Sequence, residues 1–99
     1  MKIALSFRSR LRGLVRNAGG DDLLFFPRCR SVHTLGMRQP IDLAFLDEKG
    51  TVLASYRELP PWRIRFCPIA FGACERLARD EAWPEAGSFF PSQEKIEWI

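Results

Sequence analysis

The sequence has no long hydrophobic run. Its longest apolar stretches are only a few residues, whereas a membrane-spanning helix needs roughly 18 or more, so we expect no membrane span. Residues 1–7 alternate apolar and polar side chains and do not resemble a secretory signal. Cysteine is scarce: Cys29, Cys67 and Cys74 form an odd set without CxxC spacing. Such a set favours reduced thiols in the cytoplasm over a disulfide framework, with a Cys29–Cys67 bridge as the alternative.

The common catalytic signatures are missing as well. The chain has no GxSxG, P-loop, HExxH or GxGxxG pattern, and we expect neither a catalytic residue nor a cofactor. Because there is one histidine, any acid–base or nucleophilic scheme has to use His33. The enzyme alternative combines Cys29 as nucleophile with His33 as base and Asp42 as the group that orients the base.

A metal site is a further alternative at the same residues. Cys29, His33 and Met37 recur every four residues, and on a helix they would place a thiolate, an imidazole and a thioether on one side. Such soft ligands suit Cu(I), and zinc less well. Pro27 and Gly36 disfavour a helix in this stretch. We therefore expect no metal site and interpret His33 as a hydrogen-bonded residue in a polar pocket.

Length and composition are those of a single globular domain. The chain has 99 residues, of which 46% are hydrophobic and 27% charged, so we expect one domain spanning residues 1–99. A domain of this size buries little more than about 60% of the surface of its unfolded chain. We therefore expect the three Trp and eight Phe residues to supply much of the core.

The basic charge is concentrated near the N-terminus. The formal net charge is +3, and residues 1–30 carry seven basic and two acidic groups. The simplest interpretation is a solvated helix face. The alternative is an anion- or nucleic-acid-binding module, since arginine suits phosphate and carboxylate recognition, with nucleic acid as the less favoured partner. The arginines of this stretch are Arg8, Arg10, Arg12, Arg16, Arg28 and Arg30.

Alternation of apolar and polar residues predicts a β-rich fold. Residues 41–47 and 51–56 alternate on either side of a turn at Asp47–Gly50, which predicts a hairpin. The period lengthens to that of an amphipathic helix over residues 9–18, before Gly19 and Gly20. Other strands are expected at residues 2–7, 23–26 and 62–66, with a loop or bent strand at 28–39. The predicted class is mainly β: a small β-sandwich or barrel-like domain with one short N-terminal helix.

Two segments leave alternatives open. Trp62, Ile64 and Phe66 alternate with two arginines. An aromatic residue in such a strand usually packs in the core, and stacking of Trp62 on a ligand is the alternative. Residues 71–77 fit either a strand or a helix, because periodicity does not separate the two in short apolar runs.

Residues 23–47, LLFFPRCRSVHTLGMRQPIDLAFLD, resemble the middle of the domain-of-unknown-function family 192, DUF192. The ordered combination of SVHTLGM, the Pro40-Ile41-Asp42 triplet and the turn ending at Gly50 is hard to reach by chance. The resemblance extends over residues 2–90. Its flanking parts are Arg10–Leu14, Pro60–Trp62, Cys67 and Ala73–Leu77.

The resemblance implies a small, mainly β domain of sandwich or barrel type with one short helix, from a bacterial and archaeal family. It implies no activity, because the family has no established one. Many members carry an N-terminal secretion or lipoprotein signal, which is not visible here. Members commonly have Trp-Met-Lys-Asn in the central loop, where this chain has residues 33–37, His-Thr-Leu-Gly-Met.

We expect a non-catalytic binding or accessory domain whose site lies in the central loop. This polar, irregular segment carries the one histidine between apolar strands, and loops held by a rigid scaffold commonly bind ligands. Two neighbouring arginines favour an anionic ligand, and a protein partner is the alternative. The predicted ligand-binding residues are His33, Thr34, Met37, Asp42, Arg28 and Arg30.

Overall fold

The computed structural model describes residues 2–3, 23–90 and 97–98. Within these ranges every regular element is a β-strand, so the mainly β prediction is confirmed. The helix predicted over residues 9–18 lies outside the described residues. The strands are β1 (Lys2–Ile3), β2 (Leu24–Pro27), β3 (Ser31–His33), β4 (Ile41–Leu46), β5 (Val52–Leu59), β6 (Ile64–Phe66), β7 (Gly72–Leu77) and β8 (Glu97–Trp98).

The strands form a six-stranded sheet and a separate two-stranded ribbon. The sheet has the order β5-β4-β7-β2-β1-β8, and the ribbon pairs β3 with β6. Pairing is antiparallel between β4 and β5, between β4 and β7, and between β2 and β7, whereas β1 runs parallel to β2 and β8. The segment at residues 71–77, left open between helix and strand, is therefore the strand β7 at the centre of the sheet.

The predicted hairpin is confirmed as β4 and β5. At its turn the carboxylate of Asp47 accepts hydrogen bonds from the backbone N–H groups of Lys49 and Thr51, both at 2.9 Å. Gly50 has a φ of +87°, a conformation that residues with a Cβ seldom adopt. The turn residues therefore satisfy their own backbone groups, which sets the register of the two strands.

The sheet buries both of its faces. The ribbon covers the face that we call the front, and residues 78–90, the back segment, cover the opposite or back face. Aliphatic side chains supply most of this core, contrary to the expectation for the aromatic residues, since among the described Phe and Trp side chains those buried are Phe26, Phe45 and Trp83. The front core contains Val32, Ile41, Leu43, Phe45, Leu59, Cys67, Ala70, Ala73 and Leu77; the back core contains Ala44, Leu46, Val52, Cys74 and Trp83.

Candidate functional site

The register of the ribbon decides which of its side chains face outwards. It pairs His33 with Ile64, Val32 with Arg65, and Ser31 with Phe66. Val32 is buried in the front core, and the guanidinium of Arg65 lies 5.4 Å from the ring centroid of Tyr56. Because side chains alternate along a strand, His33, Ile64 and Phe66 project from the outer side of the ribbon.

The outward direction of these apolar side chains corrects the expectation that Trp62 and its neighbours pack in the core. Trp62, Phe66 and Ile69 are 66%, 69% and 78% exposed. Arg65, which precedes Phe66, faces inwards instead. Its guanidinium makes a cation–π contact with the ring of Tyr56. A period of two separates the two faces of a strand but does not say which face meets the core.

These exposed apolar side chains lie in the ribbon and in the segments that flank it, and the same segments carry exposed arginines. Arg30 precedes the partner residue of Phe66 in the ribbon register, and it lines a cleft together with Ile69 and Phe71. The backbone N–H of Arg28 donates to the carbonyl of Phe71 at 2.6 Å, which joins the two segments that flank the ribbon. We define the ribbon surface by exposure: it comprises the half-exposed His33 and the exposed residues of the ribbon and its flanking segments, Trp62, Ile64, Phe66, Ile69, Phe71, Arg28, Arg30 and Arg63.

The segments that build the ribbon surface contain no acidic residue. Residues 28–41 and 60–74 together carry five arginines and no Asp or Glu. The back segment, in contrast, carries one basic and three acidic residues. The back segment is therefore more acidic than the segments of the ribbon surface, while the acidic turn residues Asp47 and Glu48 lie beside Arg30 at one end of that surface. The absence of acidic residues from these two segments can be seen in the sequence, but a prediction based on catalytic motifs and on the central loop does not use it.

Thr34 connects the central loop to the turn that carries Trp62. The Thr34 hydroxyl donates to the carbonyl of Pro60 at 2.7 Å and accepts from the backbone N–H of Arg63 at 2.9 Å. Its backbone carbonyl also accepts from the N–H of Trp62 at 3.1 Å. Thr34 is completely buried. Its side chain therefore holds the shape of the site and is not exposed to a ligand.

Trp62 has an unusual backbone conformation. Its φ is +64°, in the left-handed region that costs a residue with a Cβ about 1–2 kcal/mol. The bonds that Thr34 makes on either side hold this conformation in place. Residues kept in such conformations cluster at functional sites, and here the result is a large aromatic ring presented to solvent.

Asp42 lies on the back face, away from the ribbon. It is directly opposite Arg76 in the register of β4 and β7, and Arg76 Nε donates to Asp42 Oδ2 at 2.8 Å. The Arg76 guanidinium also donates to the carbonyl of Glu81 at 2.8 Å and lies 4.7 Å from the ring centroid of Trp83. The buried pair therefore fastens the back segment to the sheet.

The second carboxylate oxygen of Asp42 is used by a β-bulge. The register of β4 and β5 shifts between Ile41 and Leu43, and opposite this point Glu58 has a φ of +52°. The Glu58 N–H turns towards Asp42 Oδ1 and donates to it at 3.0 Å. Both oxygens of Asp42 are therefore engaged inside the protein, which gives this residue a structural explanation.

The loop residues predicted to form one site are thus distributed over different environments. His33 lies on the outer side of the ribbon, where its Nδ1 accepts a hydrogen bond from the N–H of Leu35 at 3.3 Å. Met37 packs against the front core. Arg28 and Arg30 are exposed and His33 is half-exposed, whereas Thr34 and Asp42 are completely buried and Met37 is partly buried.

The cysteines occupy apolar surroundings. The Cys29 thiol donates to the carbonyl of Ser31 at 3.1 Å, and Cys29 packs against the front core. Burial, with the negative charge of Glu75 as a smaller cause, raises the pKa of Cys74 above its ordinary value. Asp42, the group expected to orient His33, lies on the back face with Arg76. Residues 31–33 form strand β3 and not part of a helix, so the helical arrangement of Cys29, His33 and Met37 is not formed.

An open cleft adjoins one end of the ribbon surface. Its volume is about 390 Å³, within the range of small-ligand sites. The lining residues are Arg30, Asp47, Glu48, Lys49, Ile69, Ala70 and Phe71.

Two further findings concern the described residues as a whole. In ranges 2–3, 23–90 and 97–98, no three His, Cys, Asp or Glu side chains are grouped so as to hold a metal ion. The same ranges contain no helix of the length and hydrophobicity needed to cross a membrane.

The sequence model of the DUF192 family, described as "Uncharacterized ACR", matches residues 1–78. The chain belongs to the DUF192 family. Curated proteins and solved structures were also compared, and neither comparison gives a match.

The match to the DUF192 model ends at residue 78, close to the start of the back segment. Every residue of the ribbon surface lies within residues 1–78, as do Thr34, Asp42 and Arg76. All but the first residue of the back segment lies beyond the match. The part of the chain that matches the DUF192 model therefore contains the whole candidate surface.

Proposed function

We propose that this DUF192 protein is a non-catalytic binding domain that recognises an anionic partner through the ribbon surface. The observation that carries this proposal is the coincidence of exposed apolar side chains with acid-free, arginine-containing segments. Exposed apolar patches on soluble domains commonly mark interaction sites. Arginine adds charge and hydrogen-bond donors for phosphate, sulfate or carboxylate groups.

The structural roles of the other residues support a binding role for this surface. Thr34 holds the loop from inside, and Asp42 is engaged by Arg76 and the bulge. The exposed side chains contribute little to the core, so protein stability does not explain their size. Both the exposure of large aromatic side chains to water and the left-handed backbone conformation of Trp62 are unfavourable for folding. Such unfavourable features are commonly kept at sites of recognition.

Heparin provides a soluble polyanion for the first test. We expect the protein to be retained on immobilised heparin and to elute earlier as the salt concentration rises, because the contacts are ionic. Arg63→Glu should reduce retention without a change in the thermal midpoint, since Arg63 is exposed. The same charge change at Arg12 tests the alternative that the arginines near the N-terminus bind the anion.

The two charge reversals separate the hypotheses. Loss of retention with Arg63→Glu and a smaller effect of Arg12→Glu would support the ribbon surface. The opposite order would transfer the function to the N-terminal arginines, and no retention of the unmodified protein at low salt would refute anion binding altogether.

We also propose that the protein works in the cytoplasm. None of the three cysteines, all of which lie in the described part of the chain, forms a disulfide, which agrees with a reducing compartment. Fractionation of cells that express the chain with its natural N-terminus, followed by immunodetection, tests this location; recovery in an extracellular or periplasmic fraction would refute it.

A further inference from the structure

The apolar side chains of the ribbon surface project from the protein. Trp62, Phe66 and Ile69 each expose about two thirds of their area or more, and of the three only Ile69 lines the open cleft. Projecting side chains of this kind need a partner into which they insert. A soft, apolar layer meets that requirement without a complementary pocket.

The chemistry of these side chains also bears on the partner. Ile64 and Ile69 have no π-face, whereas single-stranded nucleic acids are bound by stacking of bases on aromatic rings. A mixture of Trp, Phe and aliphatic side chains beside arginines is typical of segments that lie at a membrane–water interface. The composition therefore favours a lipid surface over a nucleic acid.

The ribbon surface and the back segment differ in charge. The acid-free segments of the ribbon surface carry five arginines, and the back segment has an excess of acidic residues. An extended negative surface attracts one side of the protein and repels the other, which selects a single orientation. A second copy of the chain packed against the same surface would bring two sets of arginines together, which disfavours a symmetric dimer.

We propose that the ribbon surface docks on the surface of an anionic lipid bilayer. Trp62, Phe66 and Ile69 would enter the interfacial layer, and Arg28, Arg30 and Arg63 would lie beside lipid phosphates and carboxylates. This inference rests on the proposed function and names the class of its anionic partner. It requires no membrane-spanning element, because the protein lies on the membrane and does not cross it.

The test is cosedimentation of the whole protein with lipid vesicles. Vesicles of phosphatidylcholine alone are compared with vesicles that also contain phosphatidylserine. We expect binding to the mixed vesicles and much weaker binding to phosphatidylcholine, because each basic residue near an anionic surface contributes roughly fivefold to the partition coefficient. Arg63→Glu should therefore weaken binding by roughly fivefold or more.

A matched pair of variants tests insertion of the apolar side chains. Phe66→Ser should weaken vesicle binding by roughly tenfold or more, because it removes a large apolar side chain from the lipid contact. Phe89 is also 69% exposed but lies in the back segment, so Phe89→Ser should bind like the unmodified protein. Equal effects of the two substitutions would refute the proposed orientation.

Bromine-labelled lipids give a readout that depends on Trp62 itself. Bromine atoms quench tryptophan fluorescence at short range, so binding to brominated phosphatidylserine vesicles should quench the protein. Trp62→Phe should remove most of this quenching while the protein still sediments with the vesicles. Undiminished quenching in Trp62→Phe would refute insertion at this residue.

Parallel measurements distinguish failure of this inference from failure of the proposed function. Binding to heparin or to oligothymidylate without binding to mixed vesicles would refute the lipid partner but leave an anion-binding domain. A dimer in sedimentation equilibrium that Phe66→Ser dissociates would assign the ribbon surface to self-association and refute docking. Absence of binding to all three probes would refute both proposals.

Discussion

Asp42→Asn is expected to destabilise the protein more than the double variant Asp42→Asn/Arg76→Met does. The two residues are 0% and 5% exposed, and Arg76 Nε donates to Asp42 Oδ2 at 2.8 Å. Removing the charge of Asp42 leaves the Arg76 guanidinium buried without its counter-ion, which costs about 3–5 kcal/mol. Removing Arg76 leaves Asp42 with only the half-exposed Arg57, whose Nε lies 3.9 Å from Oδ1. A domain of 99 residues has a free energy of unfolding of about 5–15 kcal/mol, so loss of the Asp42 charge removes a large part of it.

Urea unfolding of the four proteins in this double-mutant cycle measures the coupling between the side chains. In the double variant, Asn still offers an oxygen to the Glu58 N–H, and Met packs beneath Trp83 without a charge. We expect the double variant to be at least as stable as either single variant, with a coupling energy of about 1–3 kcal/mol.

The cycle also distinguishes a structural Asp42 from a ligand-binding one. Because Asp42 is completely buried on the back face, the double variant should be retained on heparin like the unmodified protein. Free-energy losses that add, or loss of heparin retention in a folded double variant, would contradict the reasoning.

Substitutions at three other positions test separate parts of the structure. Thr34→Val should lower the free energy of unfolding by about 1–3 kcal/mol, because the part-buried Pro60 carbonyl and Arg63 N–H lose their partner. Thr34→Ser keeps the hydroxyl and should lose far less in the same urea titration. Trp62→Gly should keep or raise stability by up to about 1 kcal/mol, since relief of the left-handed φ outweighs the greater freedom of glycine in the unfolded chain; a clear loss would show that the Trp62 ring packs. Since the pKa of Cys74 is raised in the fold, the unfolded thiol ionises first as the pH rises above its ordinary value of 9.0, so stability should fall there by up to about 1.4 kcal/mol per pH unit. Cys74→Ala should remove that part of the slope in unfolding experiments across this pH range, and an unchanged slope would contradict the assignment.

Local sequence signals are sufficient for the hairpin and for strands β2 and β6. The Asp47–Gly50 turn carries its own hydrogen-bond acceptor and a glycine where a positive φ occurs, so the prediction needed no distant contact. Residues 71–77 were ambiguous because their strand character comes from pairing with β4 and β2 on both sides. Such pairing is a tertiary property that a short run does not encode.

The candidate site was less predictable for a related reason. From the sequence alone, Asp42 is predicted to be a carboxylate that can bind a ligand. Its partner Arg76 is distant along the chain and becomes adjacent only through the pairing of β4 with β7. Trp62, Ile64 and Phe66 read as core residues because periodicity cannot tell the covered face of a strand from the open one. What decided the outcome is the inward position of Arg65 over Tyr56.

The hydroxyl of Thr34 has a consequence for redesign of this protein. This hydroxyl connects the central loop to the turn that carries Trp62, through hydrogen bonds to the main-chain groups of Pro60 and Arg63. No outward side chain takes part in these bonds. The positions above it are therefore free to vary in size and polarity while the scaffold persists. Libraries restricted to those outward positions should yield folded members with new binding preferences, provided that Thr34 itself is kept.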